Sequence, residues 1–231
     1  METVRLEAID GATVNAYVAR PAGEPLGCIV VAQEIFGVND HIRWVLAEQY
    51  AQAGYLAVAP AFFDRLEPDV ELGYTPQTTA RGRDLVDRLG LDAPLRDIRA
   101  AERQVGDGLP TGVVGFCWGG TVAYLAATRL GLPAVGYYGG RTVPYLHERL
   151  QAPAMFHFGE RDALIPMDAV RRISIAHPQA ACHVYPAGHG FNRHGHPDWH
   201  EDSAQSALSR TLAFFRQHLR AGGAGTEAGA A

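Results

Sequence analysis

Cysteine is scarce in this chain: Cys28, Cys117 and Cys182 are the only three among 231 residues, and no Cys-x-x-Cys pair occurs. An odd number at such wide spacing excludes a disulfide framework and a structural zinc pattern. Long apolar runs are missing too. None approaches the ~18 residues that span a bilayer, and the opening Met1-Glu2-Thr3-Val4-Arg5-Leu6 lacks the basic and apolar regions of a secretory signal. No block of like charges is present; the net charge is −5 and the pI about 6.0. That balance argues against nucleic acid or an anionic membrane as a partner. A reduced, cytoplasmic setting is expected, and it suits a working thiol.

What is present is a regular alternation. Residues 3–9 and 13–19 alternate in the manner of strands around Asp10-Gly11, a hairpin signal. Gly27-Cys28-Ile29-Val30-Val31-Ala32-Gln33 is a continuous apolar run, the mark of a strand covered on both faces. A helix capped at Asn39 or Asp40 follows to Gly54, with Ile42, Val45, Leu46 and Tyr50 at helical spacing. Further strands are predicted at 55–60, 113–116, 134–138, 154–158 and 181–185, and helices at 77–89, 94–105, 141–149, 167–176 and up to about 219. Residues 61–76 read as a loop. The expected fold class is α/β, a mainly parallel twisted sheet with helices on both faces. A single domain over 1–220 is expected, with a disordered Gly/Ala-rich tail at 221–231.

The stretch that organises the chain is Val113-Val114-Gly115-Phe116-Cys117-Trp118-Gly119-Gly120. A strand, Gly-x-Cys-x-Gly and a helix-like run form the context of a nucleophile elbow, with sulfur in place of the usual hydroxyl. The bland alternative is a small core cysteine, the reading that fits Cys28 and Cys182. A cysteine nucleophile needs a base, and the base an orienting group. Asp162 lies 45 residues on, in Gly159-Glu160-Arg161-Asp162 directly past a strand, with Asp168 a nearby competitor. His189 lies 27 further, in Gly188-His189-Gly190, a small-residue loop that lets an imidazole reach the sulfur. Glu34, Cys117, Asp162 and His189 all fall at C-terminal strand ends, where sites gather in such sheets.

Read together, Gln33-Glu34-Ile35-Phe36-Gly37, the Gly-x-Cys-x-Gly-Gly elbow and Gly188-His189-Gly190-Phe191-Asn192-Arg193 make the chain resemble the dienelactone hydrolase (carboxymethylenebutenolidase) family over about residues 3–219. The resemblance implies an α/β-hydrolase fold and a Cys117–His189–Asp162 triad that opens a carboxylate-bearing lactone to maleylacetate. It implies that Glu34 contacts the resting thiol and is released by substrate to help deprotonate it. It also implies that Arg193 binds the substrate carboxylate, and that no metal or cofactor is needed. A second arginine from the helix before the elbow is Arg81 or Arg83; Arg81 is preferred. By the logic of the fold, the backbone N–H groups of Ile35 and Trp118 form the oxyanion hole. Phe36, Trp118, Tyr137 and Tyr138 could line the pocket. His189, His194, His196 and His200 crowd one loop, but without metal-ligand spacing, and His157 reads as a core histidine.

A monomer acting on a small lactone or ester through a thioacyl-enzyme is therefore expected. Two rivals stand beside it: a hydrolase of another ester, thioester or lactone on the same triad, and a non-catalytic small-molecule receptor.

Overall fold

The computed structural model describes residues 1–219; the tail predicted at 221–231 lies outside them. Eight strands form one sheet in the order β1-β2-β4-β3-β5-β6-β7-β8. The hairpin β1 (Glu2–Glu7) and β2 (Thr13–Ala19) supplies the antiparallel edge, and β2 also runs antiparallel to β4 (Leu56–Pro60). The remaining strands pair in parallel: β3 (Cys28–Ala32), β5 (Thr111–Phe116), β6 (Ala134–Tyr137), β7 (Ala154–Gly159) and β8 (Ala181–Tyr185). Every residue of β3, β4 and β5 is buried, so the unbroken apolar runs reflect cover on both faces. Cys28 is one of them, and burial pushes its thiol up to about 12.

Three helices begin at a side-chain cap. Asn39 Oδ1 accepts from Ile42 N at 3.3 Å and starts α1 (Asp40–Trp44), which continues as a π-helical turn through Ala51. Thr75 and Thr78 form a reciprocal capping box for α2 (Pro76–Leu89). Helix α3 (Asp92–Ala101) begins earlier than predicted, because Pro94 sits in its first turn, where a missing N–H costs nothing. Past the elbow come α4 (Trp118–Leu125), α5 (Met167–Ala176) and α6 (Glu201–His218). The helix expected at 141–149 shrinks to a 3-10 turn at Val143–Tyr145. There the Tyr145 carbonyl accepts from the Glu148 N–H at 2.9 Å, three residues on, and from Tyr124 OH at 2.8 Å.

Residues 61–76 are more ordered than a bare loop. A 3-10 turn at Phe62–Arg65 delivers Arg65 to Asp97 on α3, whose side chain is fully buried. The guanidinium reaches Asp97 through Nε at 2.9 Å and Nη2 at 2.8 Å, and Asp10 of the hairpin turn through Nη1 at 2.9 Å. One cation thus ties the antiparallel edge to the helical layer.

Candidate active site

Cys117 occupies the turn between β5 and α4 with φ 54° and ψ −118°, a conformation that strains a residue with a Cβ. Backbone packing enforces it. A Cβ on Gly115 would lie 1.8 Å from the Gly119 carbonyl oxygen, and one on Gly119 would lie 2.3 Å from that of Ala32. Both glycines are therefore sterically obligatory, and they press the start of α4 onto the end of β3. The Cys117 N–H is bonded to the Tyr137 carbonyl at 3.0 Å, which ties the elbow to β6.

Asp162 follows β7, and its carboxylate is buried. Oδ1 accepts from the backbone N–H groups of Leu164 (2.8 Å) and Ile165 (3.1 Å), and Oδ2 pairs with His189 Nδ1 at 2.8 Å. The nearby competitor Asp168 instead pairs with Arg171 on the surface of α5. Among the described residues His189 Nε2 closes no hydrogen bond of good geometry, and the Cys117 thiol is near enough to act on the ring. Burial opposes a charged imidazole, but the Asp162 hydrogen bond and the Cys117 sulfur outweigh it and push the ring up to about 10. A raised histidine stabilises the fold fully below its unfolded value of about 6.5 and loses that contribution as pH rises through about 10. Thermal unfolding followed from pH ~6.5 to ~10 is expected to show the wild-type midpoint falling more steeply than that of His189→Gln.

Glu34, fully buried past β3, receives Arg193 Nε on both oxygens, at 3.0 and 3.1 Å, and the Tyr74 hydroxyl at 3.4 Å. Burial works against its charge, yet Arg193, His41 and His189 hold it below the usual carboxylate range. The resemblance placed this carboxylate on the thiol; here its side-chain hydrogen bonds go to Arg193 and Tyr74 and none goes to Cys117. A buried carboxylate gains more from a guanidinium than from a neutral S–H. Arg193 Nη1 also donates to Asp198 at 2.8 Å, and its guanidinium lies over Tyr74 (5.0 Å) and Phe36 (5.5 Å).

These groups open into a cavity of about 720 Å³ whose wall includes Ile35, Phe36, Cys117, Trp118, His189 and Arg193. Arg83 lies on that wall with Thr79, and Arg81 does not. The preference for Arg81 is corrected by helix geometry. Gly82 faces the loop after β3 so closely that a Cβ would lie 2.2 Å from the Ile35 carbonyl oxygen. Thr79 and Arg83 fall on the pocket side of that contact, whereas Arg81 turns to Glu67 at 2.7 Å. Tyr137 is no lining residue either, since its hydroxyl is bonded to Thr211 at 2.7 Å in the core. Cys182 sits on edge strand β8, and burial pushes its thiol up to about 11. His157 is fully buried with both ring nitrogens bonded, to Tyr185 and Thr211.

The crowded histidines disperse. His194 stacks on Trp44 at 4.4 Å, His196 packs against Tyr74, and His200 Nδ1 caps α6 by accepting from Ser203 N. Among the described residues no three His, Cys, Asp or Glu side chains converge on a point where a metal could sit, and no helix is long and apolar enough to cross a membrane.

A strained cysteine at a strand–helix elbow, a histidine near it and a buried aspartate bonded to that histidine stand together at the strand ends. The sequence profile of the dienelactone hydrolase family matches residues 14–219. The chain belongs to the dienelactone hydrolase family. It is 34% identical over 229 residues to the carboxymethylenebutenolidase of Pseudomonas putida, covering 93% of this chain and 95% of that one. The carboxymethylenebutenolidase of Pseudomonas sp. strain P51 is 31% identical, with 94% and 95% covered. A Klebsiella pneumoniae crystal structure assigned to the dienelactone hydrolases superposes with a TM-score of 0.81 at 33% identity, covering 94% of this chain and 98% of that chain. The fold is accordingly the α/β-hydrolase fold, and the chain is a hydrolase of this family.

Several features of this dienelactone hydrolase family member escape a reading of the sequence. Tyr74, which holds Glu34, comes from a stretch with no hydrophobic period to place it. Arg161 and Arg141 also reach the pocket wall. The first stands beside Asp162 in the strand-end turn, so that position was a usable signal. The chain contains no lysine, so every permanent side-chain cation near the site is a guanidinium.

Proposed function

We propose that this hydrolase opens a small carboxylate-bearing lactone, dienelactone to maleylacetate, with Cys117 as nucleophile, His189 as general base and acid, and Asp162 as its orienting partner. The observation that carries the reading is the His189–Asp162 bond at 2.8 Å, with the raised imidazole facing a cysteine held at an elbow. The names of the Pseudomonas relatives support the substrate.

The thiol proton passes to His189 Nε2, and the sulfur attacks the lactone carbonyl carbon. The resulting oxyanion is held by the backbone N–H groups of Ile35 and Trp118 at the positive end of α4. Collapse breaks the ring C–O bond and expels an enolate, which takes the proton from His189 and tautomerises to a ketone, a poor nucleophile for the reverse step. Water, deprotonated by His189, then hydrolyses the thioester and regenerates the thiol. Ultraviolet loss of the conjugated lactone tests the reading directly. If dienelactone is left intact while simple esters are cleaved, the substrate is wrong and the triad stands.

Recognition of the substrate carboxylate has a clear division. Arg193 is occupied by two carboxylates, Glu34 and Asp198. Arg83, on the pocket wall, makes no hydrogen bond or ion pair with another described residue. Arg83→Ala is therefore expected to raise KM for the carboxylate-bearing lactone by about tenfold, the value of a charge-assisted contact. Its kcat and its KM for a neutral ester should scarcely change. Arg193→Ala should lower kcat as well, because it frees Glu34. A larger ester is the second reading, and one observation favours it: Leu164 is 58% exposed on the wall of a cavity roomier than a butenolide requires.

A further inference from the structure

Tyr138 stands beside the elbow in an unusual state. Tyr137, the last residue of β6, pairs in register with Phe116 of β5, so Tyr138 and Cys117 are the next residues along two adjacent parallel strands. Both leave their strands with positive φ, 40° and 54°. The other non-glycine residues with positive φ among those described are Asp69 and Asp107, a type that tolerates the conformation, whereas for a bulky aromatic it is a true outlier. Such strain is kept where it serves a site.

The turn sends the ring inward. Its centroid lies 5.0 Å from that of His189 and 5.4 Å from that of Phe191, and the side chain is fully buried. Among the described residues the hydroxyl has no hydrogen-bond partner, while that of Tyr137 next to it is satisfied. The ring packs against Phe116, Tyr137, His189 and Phe191, and Glu34, Arg193, Cys117 and Tyr74 lie close enough to act electrostatically on the hydroxyl. A buried donor without an acceptor is destabilising. Here the unmet donor belongs to the residue that follows β6 alongside Cys117, on which a new acceptor arises when the reaction starts.

We propose that Tyr138 is a further catalytic residue, its hydroxyl donating a hydrogen bond to Cys117 Sγ once the thiol has become a thiolate. The S–H bond breaks, the N–H bond forms on His189 Nε2, and the phenol keeps its own proton throughout. The bond exists only with the ionised sulfur, so it favours that state alone. The inference rests on Cys117 being the nucleophile.

Alkylation of Cys117 by iodoacetamide, read by peptide mass spectrometry from pH ~5 to ~9, tests it without any substrate. Tyr138→Phe keeps the ring and removes the donor. It is expected to move the rate–pH profile upward, equivalent to about a tenfold smaller thiolate fraction on the rising limb. Its melting temperature should be unchanged or higher, and the displacement should persist in a Glu34→Gln background. Identical profiles for a reactive wild type and Tyr138→Phe would overturn the inference and leave the nucleophile reading intact. A lower melting temperature would mean the hydroxyl already has a resting partner, and loss of the effect in Glu34→Gln would assign it to the carboxylate; either overturns the inference. A wild-type Cys117 no more reactive than a free thiol would overturn both readings.

Discussion

Cys117→Ala is expected to reduce kcat/KM for ester or lactone hydrolysis by at least about ten-thousandfold, the scale on which loss of a nucleophile is felt. Its melting temperature should stay close to that of the wild type. Alanine accepts the same backbone angles as cysteine, and the packing that sets those angles belongs to Gly115 and Gly119. Cys117→Ser is the sharper comparison. Its hydroxyl would occupy the same elbow, but a hydroxyl has far less tendency to ionise than a thiol. The Cys117 sulfur is itself one of the groups that raise the His189 imidazole, so the exchange removes both the easily ionised thiol and part of the ring's basicity. Serine should therefore recover only a small part of the lost rate. Mass spectrometry of the wild type quenched during turnover should show an acyl adduct on Cys117 alone. Retention of more than a tenth of the rate by Cys117→Ala would remove the residue from the mechanism.

Arg65→Ala is expected to cost about 3–5 kcal/mol of stability, because it strands a fully buried carboxylate. The two carboxylates that Arg65 holds respond in opposite senses. At Asp97 burial outweighs the guanidinium and the pKa is raised, whereas at exposed Asp10 the Arg65 hydrogen bonds hold the pKa well below the usual range. The sign of the pH dependence follows from both. Without Arg65, Asp97 is driven further up, a penalty that grows as pH rises above the unfolded value of about 4. The stabilisation of Asp10 is present above that same value and vanishes below it. Urea unfolding should therefore show a large deficit at neutral pH and a smaller one near pH 4. Because a buried pair can be replaced by apolar groups at little cost, Arg65→Met with Asp97→Leu should recover much of the loss. A deficit equal at both pH values would show that Arg65 acts through packing alone.

The parts of this protein that sequence made legible are those governed by local rules. Buried parallel strands announced themselves as unbroken apolar runs, and the elbow by glycines whose contacts leave no room for a Cβ. The spacing of Asp162 and His189 past successive strands located a pair that the fold then brought to 2.8 Å. What stayed hidden depends on a choice among partners. Nothing local to Glu34 says that Arg193, 159 residues away, and Tyr74 will take its hydrogen bonds. Arg81 and Arg83 differ only in which side of Gly82 they fall, and that contact with Ile35 is tertiary. The 3-10 turn within 61–76 was obscured because its anchor is an ion pair across the fold and not a hydrophobic period.

The close packing of the elbow also bears on how such a protein changes over generations. The geometry of the elbow is set by backbone: two glycines wedged against carbonyls leave no room for a side chain. Part of the wall, by contrast, consists of side chains without a partner, such as the unpaired Arg83 and the exposed Leu164. New specificities can then arise by single exchanges on the walls with little loss of stability, while the chemistry is inherited unchanged. Substitution is thus sterically barred at the floor of the cavity and open at the unpartnered positions of its rim.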